Sequence, residues 1–326
     1  MAELNLVEAV NQALAFELAR DPAVVLLGED IGVNGGVFRA TVGLQQRFGA
    51  DRVMDTPLAE NAIVGTAVGM AAMGLRPVAE IQFSGFIYPA IDHLINHAGR
   101  LRHRTRGRLS CPLVVRAPSG GGIHAPEHHS ESPEAMFAHM PGLRVVVPSS
   151  PSRAYGLLLA AIRDPDPVIF LEPTRLYRLF KQEVADDGEA LPLDVCFTLR
   201  AGTDVTLVSW GATLHETQAA ADLLAQEGVM AEIIDVATLK PLDTTTILES
   251  VARTGRCVIV HEAARTAGFG AEIAANLAEQ GLYSLLAPVQ RVTGYDSVMP
   301  LSRLEYQYLP SVERIVAAVR KTLEGT

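Results

Sequence analysis

Seven of the nine histidines fall between residues 93 and 139, and they are densest in HAPEHHSES. That stretch sets His124, Glu127, His128 and His129 directly after the glycine run SGGG (119–122). A histidine loop suits proton transfer, because imidazole gives and takes a proton near neutral pH. A zinc site on His124, His128 and His129 is a second reading. Against it, neighbouring histidines in an extended chain point to opposite sides, and the HExxH helical spacing is absent. A loop of solvated histidines is the plainest reading. The glycine run is neither GxxxxGK[ST] nor GxGxxG, so the common phosphate cradles are not present.

Glu60 is the second candidate. It follows the extended segment RVMDTPLA and opens ENAIVGTAVGMAAMG (60–74), a helical stretch with almost no charge. A carboxylate at a helix start gains about 0.3–1 kcal/mol from the helix dipole. A buried one would instead favour its protonated form and donate a hydrogen bond to a heteroatom. Spacing leaves both open. The small residues Gly65, Ala67, Gly69, Ala71 and Ala72 suit either a tightly packed core helix or a subunit contact. Arg100, Arg102, Arg104, Arg106 and Arg108 alternate through RLRHRTRGR; they read as a solvated helix end or a polar subunit contact.

The elements that must position these residues alternate along the chain. Short β-branched runs occur at 24–28, 78–83, 112–116, 143–147 and 168–172, with helical patterns at 5–20, 60–74, 88–104 and 152–163 between them. Charged, irregular sequence follows. A second series then has strands at 204–209, 231–236, 256–260 and 290–294, with helices near 213–227, 244–253 and 268–280. The expected fold is α/β, two doubly wound domains: residues 1–180, a linker over 181–203, and residues 204–326.

Composition agrees. The 326 residues are 48% hydrophobic, which excludes disorder and supports two domains of roughly 150 residues each. The formal charge of −10 argues against nucleic acid or an anionic membrane as partner. Cys111, Cys196 and Cys257 are widely spaced and odd in number, as buried free thiols are. No leader pattern and no run of about 18 apolar residues is seen, so a cytoplasmic protein is expected.

MDTPLAENAIVGTAVGMAAMGLRPVAEIQF (54–83) resembles the pyrimidine-binding half of thiamine diphosphate enzymes. More narrowly, it is similar to the β subunit of the decarboxylating component of 2-oxo acid dehydrogenase complexes. GVFRAT, HHSESPEAMFAHMPGLRVV, AAIRDPDPVIFLEP and VATLKPLD carry the resemblance over essentially the whole chain. It implies a pyrimidine-binding domain followed by a transketolase C-terminal-like domain. It also implies an α2β2 heterotetramer acting on a 2-oxo acid and passing the acyl group to the lipoyl-bearing dihydrolipoamide acyltransferase core. Glu60 would hydrogen-bond the aminopyrimidine ring, with Leu58, Gln82 and Phe86 lining the cofactor pocket. His129 would face the substrate and the lipoyl group. A K+ site would fall on the carbonyl of Ala161 with Asp164 and Asp166; as plain sequence, DPDP is a turn. The GDG motif that holds Mg2+ and the diphosphate in these enzymes is missing, which assigns that half of the cofactor to the α subunit.

Substrate signals conflict. The branched-chain pattern has an acidic residue at the Gly85 position and Tyr at the Phe86 position, so SGF, like GGGIHAPEHH, leans toward the pyruvate-type subunits of some bacteria. HHSESPEAMFAHMPG leans toward branched-chain 2-oxo acids. An acetoin dehydrogenase subunit, or a mainly structural core-docking subunit, are the alternatives.

Overall fold

The computed structural model describes residues 1–324. Its larger sheet has seven strands in the order Thr238–Lys240, Arg144–Val146, Val168–Pro173, Val114–Ser119, Arg76–Glu80, Val24–Gly28, Val53–Asp55. All neighbours are parallel except the first pair. Val24–Gly28, Val114–Ser119 and Val168–Pro173 are buried at every position. Helices cover both faces of this sheet, so its strands read as unbroken apolar runs with no alternation.

The smaller sheet runs Gln290–Val292, Cys257–Val260, Val205–Ser209, Ala231–Asp235, Phe197–Arg200, with only the last strand antiparallel. One apolar core joins the two sheets: Val147, Ile169 and Leu171 from the first meet Trp210, Ile234 and Ile259 from the second. The strand Thr238–Lys240 reinforces the junction, since it leaves the second series to pair with Arg144–Val146.

Local chemistry sets the helix starts. Asn5 caps the helix Leu6–Arg20 in a reciprocal box with Glu8, at 3.0 and 2.9 Å. Ser150 caps Pro151–Arg163, with Pro151 in the first turn, where a missing N–H costs nothing. These two helices pack together on the face of the larger sheet away from the small-residue helix Glu60–Ala72.

Two expectations differ from the structure. The helix expected over 88–104 is a chain of short turns, with a π-turn at His93–His97 and an α-turn at Leu101–Arg104. Pro89 removes an amide at its start, and Gly99 lies so close to the Pro141 carbonyl that its Cβ would sit 3.0 Å away. The segment 181–203, expected as a linker, carries two short strands. Gln182–Val184 pairs with Ala2–Leu4, and Phe197–Arg200 edges the second sheet.

Candidate active site

Four parallel strands of the larger sheet end side by side, and their following loops meet at the carboxyl edge, where open α/β sheets build sites. The floor is a buried charge network. Arg116, 2% exposed, donates to Glu172 through Nε at 2.6 Å and Nη2 at 2.9 Å, and to Glu80 through Nη1 at 2.7 Å. Tyr177 Oη donates to Glu172 at 2.6 Å. Burial works against the charge on Arg116, but the carboxylates of Glu172 and Glu80 outweigh it and hold the guanidinium protonated. Burial also pushes the Glu80 carboxyl up, with Arg116 pulling it back only in part.

Aromatic rings stack upward from this floor. Phe38 lies 5.0 Å from Tyr177 and 5.3 Å from Phe83, and Phe83 lies 4.3 Å from the His129 ring. Phe86 lies 5.2 Å from His129 and 5.8 Å from Phe83, so the three rings form a mutually contacting cluster. His129 is half-buried, and among the described residues its Nδ1 has no hydrogen-bond partner. Partial burial lowers its pKa, neighbouring His128 lowers it further, and Glu127 offsets them in part. The ring is therefore neutral near pH 7, with a buried nitrogen unpaired. Gly85 permits this arrangement: a Cβ there would collide with the His128 carbonyl oxygen. Ser84 Oγ fixes the same loop to the Glu131 carbonyl at 2.9 Å.

Glu60 is the first residue of the helix Glu60–Ala72, half-buried, behind Ala59, which offers no capping side chain. Its charge is felt at Glu29, whose carboxyl is raised by desolvation first, then by Asp30 and Glu60. Asn61 ties this helix start to the Phe86 segment, donating to the Pro89 carbonyl at 3.2 Å and lying 3.0 Å from His93 Nε2. Gln82 is half-buried where the strand Arg76–Glu80 gives way to that segment. Leu58 is a 71% exposed apolar side chain two residues ahead of Glu60. Thus Phe86 and His129 are in contact, Glu60 stands on the helix tied to the Phe86 segment through Asn61, and Leu58 and Gln82 lie close to Glu60 and Phe83 along the chain. The residue set fits a bound aromatic cofactor: a half-buried imidazole, apolar rings and a carboxylate at a helix start.

The zinc reading does not match the geometry. His124 pairs with Glu305 at 3.0 Å, His128 with Glu127 at 3.6 Å, and His129 is held against rings. The only trio of possible ligands found to converge among the described residues is Asp92, His93 and His97, on a different element. At the turn after Ala161, oxygens are already engaged by arginines. Asp164 pairs with Arg144 at 3.0 Å, Asp166 with Arg102 at 2.7 Å, and Arg76 takes the carbonyls of Ile162 and Asp164 at 3.0 and 3.4 Å. The side chains of Asp164 and Asp166 are thus paired with arginines, while no arginine is recorded on the carbonyl of Ala161, the third oxygen of the expected cation site, among the described residues.

Sequence reasoning passed over the floor. Arg116, Glu80 and Glu172 each close an apolar strand run with one charge, and that repetition was the available signal. It also passed over Phe83, one residue beyond Gln82.

Comparison with known proteins follows the same outline. A model of the transketolase pyrimidine-binding domain matches residues 2–179, and one of the transketolase C-terminal domain matches residues 196–315. The chain is 49% identical over 321 residues to the pyruvate dehydrogenase E1 component subunit beta of Acholeplasma laidlawii, covering 98% of each. It is 47% identical over 324 residues to the protein of that name from Bacillus subtilis, covering 99% of this chain and 100% of the relative. For the Staphylococcus epidermidis protein the identity is 46%, with the same coverage. A solved structure, "Split gene transketolase, inactive beta4 tetramer", superimposes with a TM-score of 0.81 at 25% identity over 99% of both chains.

Proposed function

The chain belongs to the family of pyruvate dehydrogenase E1 component β subunits, built on transketolase pyrimidine-binding and C-terminal domains, and on that premise we propose that it serves a cytoplasmic pyruvate dehydrogenase as the β half of its thiamine diphosphate site. The observation that carries the reading is the end-to-end likeness to relatives of that name, supported by Glu60 and His129 lying after strands Val53–Asp55 and Val114–Ser119 of one sheet.

When bound, thiamine diphosphate supplies the nucleophilic carbon and the electron sink for loss of carbon dioxide from a 2-oxo acid. Glu60 holds a hydrogen bond to the pyrimidine ring from the helix start. Phe86 and Leu58 give apolar contact, and Gln82 a polar one. His129 gives or takes a proton through its imidazole, by Nε2 rather than the enclosed Nδ1, as the acyl group passes to the lipoyl arm of the acyltransferase core. Mg2+ and the diphosphate are held by the α subunit, consistent with the missing GDG motif. An α partner is also supported by surface: Ala62, Thr66, Gly69 and Met73 line the exposed face of the Glu60–Ala72 helix and its end.

Pyruvate is the favoured substrate because the full-length relatives carry that name and Gly85 departs from the acidic residue of the branched-chain pattern, a position where a Cβ would collide with the His128 carbonyl oxygen. The test compares kcat/KM for pyruvate and 3-methyl-2-oxobutanoate, using the chain co-produced with its α partner and supplied with thiamine diphosphate and magnesium. A preference for pyruvate is expected. A preference for the branched acid would overturn the substrate assignment.

A further inference from the structure

Residues 120–131 leave the larger sheet and return to it as a loop with closed feet. Gly120 N donates to the Glu131 carbonyl at 2.8 Å, and Thr174 Oγ1 to the carbonyls of Ser119 and Gly120 at 3.1 Å each. The returning arm carries His128 and His129. The outgoing arm is the glycine run, which resembles no nucleotide cradle yet does bind anions. Its occupants are two carboxylates from the second domain. Gly121 N donates to Glu262, Gly122 N to Glu305 Oε1 at 2.6 Å, and His124 N to Glu305 Oε2 at 3.0 Å. His124 Nδ1 lies 3.0 Å from the same Oε2.

Positive φ at Gly120 (79°), Gly122 (88°) and His124 (60°) turns successive amides to one side, the concave arrangement that receives anions. Glu305 is fully buried and Glu262 is 9% exposed. The fit leaves no slack, since a Cβ on Gly120 would lie 2.9 Å from Glu262 Oε1. Met299 covers Gly121, and Tyr306 meets the His124 ring at 5.5 Å, so the segment that presents Glu305 also roofs the arm.

These carboxylates grip only the arm opposite His129, from a domain with no residue in the aromatic stack. We propose that Glu262 and Glu305 are positioning residues, which hold the loop by its amides so that His129 stays against Phe83 and Phe86 for acyl transfer. The inference rests on the role given to His129 above. The second domain thereby sets the geometry of a site built on the first. A carboxylate accepts from several N–H groups at once, whereas a glutamine turns a donor toward them, so Glu→Gln loosens the grip while keeping side-chain volume.

The test uses the assembled holoenzyme carrying Glu305→Gln, or Glu262→Gln, which holds a single amide and is the milder change should the first fail to assemble. Hydrogen exchange over residues 120–131 is expected to rise about tenfold or more, with exchange in Val24–Gly28 unchanged. Lipoyl-dependent kcat is expected to fall about tenfold, while artificial-acceptor decarboxylation changes less than about twofold. Glu305→Asp is expected to recover part of the lost turnover. Unchanged exchange would overturn the proposal, because the amides would not then depend on the carboxylates. Raised exchange with both turnovers intact, or both falling together, would overturn it too, leaving a merely structural contact. A wild-type holoenzyme that decarboxylates no 2-oxo acid would sink the functional reading instead, and the exchange arm would still decide the grip.

Discussion

Arg116→Met is the perturbation that most directly probes how the site is supported. The guanidinium makes three charged hydrogen bonds, at 2.6, 2.7 and 2.9 Å, to two carboxylates beneath the aromatic stack. Methionine fills similar space and leaves Glu80 and Glu172 facing each other in a dry interior, with only Tyr177 still donating to Glu172. Removing one partner from a buried pair costs about 3–5 kcal/mol, because the remaining charge is uncompensated. For domains of this size a kilocalorie moves the melting point by about 2–4 °C, so a fall of roughly 10 °C is expected. The loss should depend on pH. Glu80 is already pushed above its ordinary value by burial, and without Arg116 it rises further. A carboxyl whose folded pKa exceeds its unfolded one binds its proton more tightly when folded, so it stabilises at low pH and destabilises as pH rises through the folded value. The deficit should therefore shrink as pH falls, and Glu80→Gln in the Arg116→Met background should recover a large part of it. Thermal unfolding by circular dichroism at fixed protein concentration reads all three. A deficit under about 1 kcal/mol, or one indifferent to pH, would refute the reasoning.

Other expectations follow from single contacts. Gly85→Ala should leave the fold intact but displace the His128 carbonyl and with it His129, lowering turnover by about tenfold or more in a steady-state assay. His261 is fully buried against Trp210, with both ring nitrogens unpaired among the described residues, and burial pushes its pKa down to about 4. It is neutral when folded, so stability is intact above its ordinary value of 6.5 and is lost as pH falls toward 4, by about 3 kcal/mol. His261→Phe should flatten that acid limb in a melting series; a limb of unchanged slope would assign acid sensitivity to other groups.

How far the sequence carried this account depends on the element. Strands such as Val168–Pro173 were legible because burial on both faces demands an unbroken apolar run. Glu60 was legible as a helix start, although spacing could not say whether its carboxylate was buried; it is half-buried. Thr238–Lys240 was not legible, because three residues carry no period and their partner lies in the other half of the chain. The floor was hidden for a related reason: Arg116, Glu80 and Glu172 meet only after three strands are laid side by side. The glycine run was recognised as unlike the nucleotide loops, but its occupants, Glu262 and Glu305, lie more than 130 residues downstream.

The central claim is that this chain supplies the catalytic carboxylate and histidine of a cofactor site that another subunit completes. The most direct measurement is thiamine-diphosphate-dependent decarboxylation of pyruvate by the purified chain alone, by its assembly with the α partner, and by the same assembly carrying Glu60→Gln. The account predicts negligible turnover alone, full turnover in the assembly, and a fall of about a hundredfold or more in the variant, with the assembly intact by sedimentation. Full activity from the isolated chain, or from an intact Glu60→Gln assembly, would contradict it.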